Sequence, residues 1–407
     1  MMERRKCMNI PKVRFHGFKE KWREESLSKL FVERHEISTI TESLPQLSFT
    51  ISEGVIYPDD RKSNKRDFLI KDILSKKYLV TCVGDILYNP ANVIYGAIHR
   101  NSLCDGVVSP IYKIFKTEQD SNFMECVVRN PSFISQLSMK TEGTVTKLKT
   151  LKPESFLEMI VKIAPSIYEQ RKIASYFQTL DSLIQTTSKK LASLKQIKAA
   201  SLQYMFPQEG ETVPKVRFKV FEGEWEEKSF SALYKKSIIK NDLTFGTDKI
   251  ISVANMYYLT NVNVSDLEYL KTYNIMKLGD IAFEGNKSKR FLHGRFVENT
   301  IGDGIVSHVF VVFHPISAEH DINYWKYAIN NENIMRNVLI RCTKSSTMMT
   351  DLVVDDFLKE TILVPSYAEQ QKIGAYFRNL DQQISLQTQR LEKLKQIKAA
   401  CLDKMFV

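Results

Sequence analysis

The chain has 407 residues, 43% hydrophobic and 26% charged, an ordinary globular composition that excludes both a single small module and a predominantly disordered chain. Lys and Arg number 58 against 47 Asp and Glu, leaving a net charge of +11. That excess points to a polyanionic partner such as nucleic acid, although a highly soluble protein with no such partner would carry it too.

In chain order, the opening MMERRKCMNIPK has no apolar h-region, and no later run of about 18 apolar residues occurs, so neither secretion nor a membrane span is expected. Cys7, Cys82, Cys104, Cys126, Cys342 and Cys401 are scattered, with no C-x-x-C or Cys/His set able to hold zinc, which predicts reduced thiols in a cytoplasmic protein. Residues 9–164 mix short β-rich runs, such as SPIYKIF at 109–115, with helical stretches such as 155–161, and predict an α+β domain. Residues 165–206 predict one long helix, and PQEGETV at 207–213 has linker composition. Residues 214–364 predict a second α+β domain, with a strand at 307–313 and a helix at 324–338, and 365–407 a second long helix.

The second half repeats the first. The 42 residues from Pro165 to Phe206 return at Pro365 to Phe406 without a gap, and 22 of the 42 positions are identical. PKVRFHGFKEKW at 11–22 returns as PKVRFKVFEGEW at 214–225. Between these ends only islands match: Gly84-Asp85-Ile86 with Gly279-Asp280-Ile281, and DGVVSPIYKIF from Asp105 with DGIVSHVFVVF from Asp303. A shared fold with loops of different length accounts for this.

Each repeated 42-mer opens with a capping box, Ser166-x-x-Glu169 and Ser366-x-x-Glu369, in which the glutamate would reach back to the cap. Apolar residues then follow mixed three and four spacing: Ile173, Phe177, Leu180, Ile184, Leu191, Leu194 and Ile197, repeated 200 residues later. Thr187 and Gln387 interrupt this seam. The reading is an antiparallel intramolecular coiled coil with a pseudo-two-fold axis, each helix spanning about 50 Å. Pairing between separate chains is the competing arrangement.

No phosphate loop, Gly-rich dinucleotide turn or H-E-x-x-H helix occurs, so catalysis has no obvious seat. Pro58-Asp59-Asp60-Arg61-Lys62 looks like the start of a metal-dependent nuclease motif but lacks an acidic-x-Lys partner and has no second copy; it reads as a solvated loop. His314 and His320 are assigned no role.

The pattern PKVRF-x-x-F-x-x-x-W, then GDI elements, then P-S-x-x-E-Q-x-K-I leading into L-K-Q-I-K and M-F resembles the DNA-specificity subunit of type I restriction-modification systems across essentially the whole chain. The resemblance implies two target-recognition domains, at 9–164 and 214–364, each reading one half of a split DNA sequence. It implies two conserved helices that set the spacer and recruit two methyltransferase subunits, with restriction and translocase subunits joining them. The chain itself would be non-catalytic, and S-adenosylmethionine, ATP and magnesium would belong to those partners.

Base readout needs forked side chains at groove edges, and phosphate positioning needs basic and small polar groups. The candidates are Asn89, Asn92, His99, Arg100, Asn101, Lys140, Thr141 and Lys147 in the first domain, and Asn286, Lys287, Lys289, Arg290, Arg295, Lys344 and Ser345 in the second. Seam packing does not require identical polar residues, so Glu169, Gln170, Lys172, Lys195, Gln196 and Lys198, with Glu369, Gln370, Lys372, Lys395, Gln396 and Lys398, are candidates for a partner surface. Where the first GDI element continues Leu87-Tyr88-Asn89-Pro90, the second has Ala282-Phe283-Glu284-Gly285, so no role of Asn89 transfers. A stand-alone bipartite DNA-binding regulator and a coiled-coil scaffold are the rival readings.

Overall fold

The two repeats share the order of their main elements. The structure is a computed structural model and describes residues 9–60, 76–141, 150–260, 262, 266–289, 291–345 and 349–406. In the first repeat, strand Arg23–Ser26 pairs antiparallel with Ile160–Ile163, which brings the two ends of the recognition region together; Glu226–Ser229 and Thr361–Val364 do the same in the second. Between them lies a four-stranded sheet in the order Val32–Glu33, Lys113–Lys116, Ile86–Tyr88, Ile98–Arg100, and the second repeat has Tyr234–Lys236, Val311–Pro315, Ile281–Glu284, Arg295–Glu298. The central strands are apolar on both faces because both are covered. Ile86 and Tyr88 meet the main core with Phe115 and Phe156, while Leu87 faces a smaller cluster of Leu47, Phe49, Val55 and Val108.

Two helices follow each sheet, each started by a side-chain cap. Asp120 accepts from Phe123 N ahead of Ser121–Val128, and Asn130 accepts from Ser132 N ahead of Pro131–Lys140. Asp321 and Asn331 do the same for Ile322–Ala328 and Glu332–Cys342. The helix expected at 324–338 is therefore two, broken where Asn331 leaves helical dihedrals to cap the second. The run 155–161 is helical only to Leu157 and then becomes the strand Ile160–Ile163. The runs at 109–115 and 307–313 each begin in a turn, closed by Tyr112 N to Ser109 O and Phe310 N to Ser307 O, before Lys113–Lys116 and Val311–Pro315.

The long helices are Ile167–Tyr204 and Tyr367–Met405, of 38 and 39 residues. The chain divides into two compact units, Met1–Thr187 with Arg390–Val407, and Ser188–Gln389. Each unit thus contains the start of one long helix and the last turns of the other. In the first unit Ile173, Phe177 and Leu180 share a core with Met405, Leu402 and Phe406; in the second, Ile373, Phe377 and Leu380 share one with Leu194, Met205 and Phe206.

Along the first helix the seam runs through buried 173, 177, 180, 187, 191, 194 and 201, with Ile184 and Lys198 half-buried between them and Met205 just past its end, an unbroken alternation of four and three; Glu169, Gln170 and Ala174 are buried beside it. This corrects one seam position. Ile197 is 46% exposed, and the seam runs through Lys198, whose aliphatic stem packs while its ammonium reaches out to an aspartate. No described helix is long and apolar enough to cross a membrane.

Candidate nucleic-acid interface

In the second unit, two loops are brought side by side at one edge of the sheet. The turn after Ile281–Glu284 carries Asn286, Lys287 and Lys289, and the hairpin of Thr343–Ser345 and Thr350–Leu352 carries Lys344 and Ser345. Thr350 N donates to Gly285 O at 2.8 Å, Asn286 bridges Met349, and Lys287 Nζ donates to Ser345 Oγ. Gly285 makes this approach possible, since a Cβ there would collide with Thr350 O. Asn286, Lys289, Lys344 and Ser345 are exposed, so the shared edge presents two uncovered ammonium groups and small polar side chains. Arg290 lies outside the described residues.

The first unit repeats the arrangement with other residues. Asn89 N bonds Ala97 O across the hairpin between Ile86–Tyr88 and Ile98–Arg100, and Asn89 Oδ1 accepts from Ala91 N at 3.0 Å, an Asx turn. Leu151 N donates to Pro90 O, joining this loop to the segment that follows Pro131–Lys140. Lys140 is exposed at the end of that helix, Thr141 Oγ1 bonds Ser138 O at 2.9 Å, and Asn92 is half-buried. Lys147 lies outside the described residues.

Four recognition candidates are placed inward. His99 is buried, with Nε2 2.8 Å from Ile51 O and Nδ1 3.6 Å from Glu125. Asn101 is fully buried and donates to Thr81 Oγ1 and Cys104 O while accepting from Leu103 N. Asn299 holds the same place in the second unit, donating to Met276 O, Lys277 O and Gly302 O. These asparagines fasten turns, and neither reaches solvent. Arg100 faces Glu125 at 3.6 Å, and Arg295 donates to Glu284 at 2.6 Å and to Ala254 O at 2.8 Å over the ring of Phe291. The Arg295 guanidinium is committed within the domain, and that of Arg100 is paired with Glu125 although its buried Nε makes no hydrogen bond.

Burial of four members and internal ion pairs of two more account for half of the partner-surface set. Glu169 is 1% exposed and binds Arg14 through both oxygens, at 2.6 and 2.8 Å; Glu369 binds Arg217 at 2.8 and 2.7 Å. Their carboxylates therefore do not turn back to the helix cap. Only the serine half of the box is present in the second helix, where Ser366 Oγ accepts from Glu369 N. Gln170 accepts from Asp120 N and donates to Ala164 O, and Gln370 accepts from Asp321 N and donates to Pro365 O. Lys198 pairs with Asp381 at 2.5 Å, and Lys398 pairs with Asp181. Burial disfavours the Asp381 carboxylate, but Lys198, Tyr327 and Lys326 outweigh it and hold the group below its usual range. These six identities are explained inside the chain. Lys172, Lys195, Gln196, Lys372, Lys395 and Gln396 remain exposed on the helices.

Sequence reasoning misses Arg14, Arg217, Asn130 and Asn331. The arginines stand in plain view within the repeated PKVRF, and each asparagine stands directly before a helix start.

Residues 206–396 match the family model of the type I restriction modification DNA specificity domain. The matched stretch is the second repeat, and the first repeat has the same strand order and the same bonds to a long helix. The second repeat thus carries a match to the DNA specificity domain of type I restriction-modification systems. The fold of the whole chain is similar to the crystal structure of the type I restriction-modification system S subunit from M. genitalium, with a TM-score of 0.59 and 12% identity over 98% of this chain and 99% of that one. The HsdS subunit from Thermoanaerobacter tengcongensis is similar at a TM-score of 0.45 and 14% identity, over 96% and 98% of the two chains. No curated protein sequence matches the chain.

The buried acids of both units serve their loops. Asp85 accepts from Cys82 N and Arg34, and Asp280 from Lys277 N and His314; in both, burial raises the carboxyl's pKa against the pull of the basic partner. In the second unit Glu298 Oε1 lies 2.9 Å from His320 Nε2, and burial pushes the carboxyl well above its usual range and the imidazole down to about 4. Among the described residues, no group of three or more His, Cys, Asp or Glu could hold a metal ion.

Proposed function

We propose that this chain reads a bipartite DNA target and positions other subunits on it, without catalysing a reaction itself. The recognition domains at 9–164 and 214–364 each dock on one half-site, with 207–213 as the linker between the copies. The long helices, at 165–206 and 365–407, form an antiparallel coiled coil that sets the unread spacer, and their exposed Lys172, Lys195 and Gln196, with the equivalents 200 residues later, seat two methyltransferase subunits. Restriction subunits join that complex, and S-adenosylmethionine, ATP and magnesium are held by the partners.

The observation that carries this reading is the duplication of both halves of the device: one recognition fold, twice, fastened to helix ends by the same residues, with different side chains at the exposed loops. The exposed identities Lys172/Lys372, Lys195/Lys395 and Gln196/Gln396 suit two copies of one partner, and different loops suit two different half-sites. Exposed Lys289, Lys344 and Lys140 are suited to phosphate, and Asn286, Asn89 and Asn92 to base edges.

Co-expression with the neighbouring methyltransferase, followed by the mass of the purified complex and a map of methylated adenines, tests it. Two methyltransferases per chain and methylation at one split motif are expected. A lone chain that leaves methylation unchanged would overturn the reading.

A further inference from the structure

We propose that Asn130 and Asn331 are positioning residues: each sets the angle at which a recognition domain stands on the helix pair, and through that angle the spacer length the complex accepts. This rests on the bipartite reading above.

An α-helix leaves its last four carbonyls without partners. In the first unit the last turn of Tyr367–Met405 gives two of them to the recognition domain: Leu402 O accepts from Asn130 Nδ2 at 3.1 Å and Lys404 O from Val13 N at 3.0 Å. In the second unit Leu202 O accepts from Asn331 Nδ2 at 3.0 Å and Tyr204 O from Val216 N at 2.9 Å. Both asparagines are 8% exposed. The other end of each amide caps a domain helix, through Ser132 N at 3.0 Å and Asn333 N at 3.1 Å. A single planar amide therefore joins the C-terminal turn of a long helix to the N-terminus of a helix of the domain.

Where that second helix leads gives the bond its consequence. Pro131–Lys140 runs out to Lys140 and Thr141, and Glu332–Cys342 runs into Lys344 and Ser345, the exposed loops of each candidate interface. Ten residues of helix span about 15 Å, so a small rotation at the asparagine is amplified at the loop. The aromatic contacts at the same junction hold the domain down without fixing its angle. Phe406 sits 5.8 Å from Trp22 and Phe206 6.1 Å from Trp225, and apolar burial is non-directional, whereas a hydrogen bond weakens steeply as it bends.

Asn130→Asp and Asn331→Asp separate the two roles of the side chain. Aspartate caps a helix as well as asparagine but has no group to donate to Leu402 O or Leu202 O. The assay is methylation by the full complex of targets with fixed half-sites and spacers from two base pairs shorter to two longer. Relative to the wild-type complex, methylation at spacers one base pair off should rise about fivefold, the factor corresponding to one ordinary hydrogen bond. Half-site preference should not change. An unchanged spacer profile in a folded variant overturns the inference, and so does loss of methylation at every spacer, which would make the asparagines reading residues. Asn130→Ser and Asn331→Ser, which cap but are too short to bridge, must widen the profile in the same way; if neither kind of variant folds, the asparagines are fold residues and the inference fails. A wild-type complex that methylates no split motif would instead contradict the bipartite reading.

Discussion

The two units agree where a domain meets the helices and differ one layer away. Arg14–Glu169 and Arg217–Glu369, Lys398–Asp181 and Lys198–Asp381, Asn130 and Asn331 hold the same places with the same bonds. In the adjoining layer, strand position Arg100 of the first unit is Glu298 in the second, and the helix residue facing it, Glu125, is Lys326. The charge is reversed, but the pair is not remade. Lys326 turns to Asp381, Glu298 is left to His320, and one Glu298 oxygen has no hydrogen-bond partner. The cavity beside these residues is about 180 Å³ in the first unit and about 730 Å³ in the second. Junctions that must accept the same helix end are held fixed, and the interior behind them is free to diverge as long as each charge finds some partner.

Breaking the shared junction should have the largest effect. Phe206→Ala removes a ring packed against Trp225, Tyr324 and Phe377 and should cost on the order of 3–5 kcal/mol by chemical denaturation. Glu369→Ala leaves Arg217 without its carboxylate in a site where only 14% of that side chain is exposed, and a loss of about 3–5 kcal/mol is expected there as well.

The divergent layer should show itself as a difference in pH dependence. Burial raises the folded Glu298 carboxyl above its unfolded value near 4.5 and lowers the folded His320 imidazole below its unfolded value near 6.5. The raised carboxyl contributes stability that is lost as pH rises through its folded pKa, so above about 6.5, where the imidazole is neutral in both states, any pH dependence from this pair is a loss of stability with rising pH, an effect absent from Glu298→Gln. Thermal unfolding of both proteins at about pH 7 and about pH 9 checks this.

The smallest effects belong to the exposed loops. Lys289→Ala and Lys344→Ala should leave unfolding unchanged, weaken DNA binding for all sequences alike, and each lower the salt slope by about one, measured by titration at several salt concentrations.

The repeat and the two long helices are legible in the sequence because a 42-residue match with periodic apolar positions is what a duplicated amphipathic helix produces and a loop or strand does not. Hydropathy misplaces Ile197 because a seam position can be filled by the stem of a lysine, and an apolar pattern cannot see Lys198 there. Glu169, Gln170 and Lys198 look like a surface in the sequence because identity between repeats says that a residue has the same neighbour twice, not whether that neighbour is inside the chain. His99 and Asn101 look like readout residues from composition alone; their carbonyl partners, Ile51 O, Cys104 O and others, come from loops that no pattern connects to them.

The most direct test of the account is a chain in which residues 11–164 are replaced by 214–364, since both copies end on the same helix contacts. Methylation mapping of its complex should show the second half-site twice, in inverted orientation. Methylation at the original asymmetric motif, or at a motif with one half-site alone, would contradict the claim that each recognition domain reads its own half.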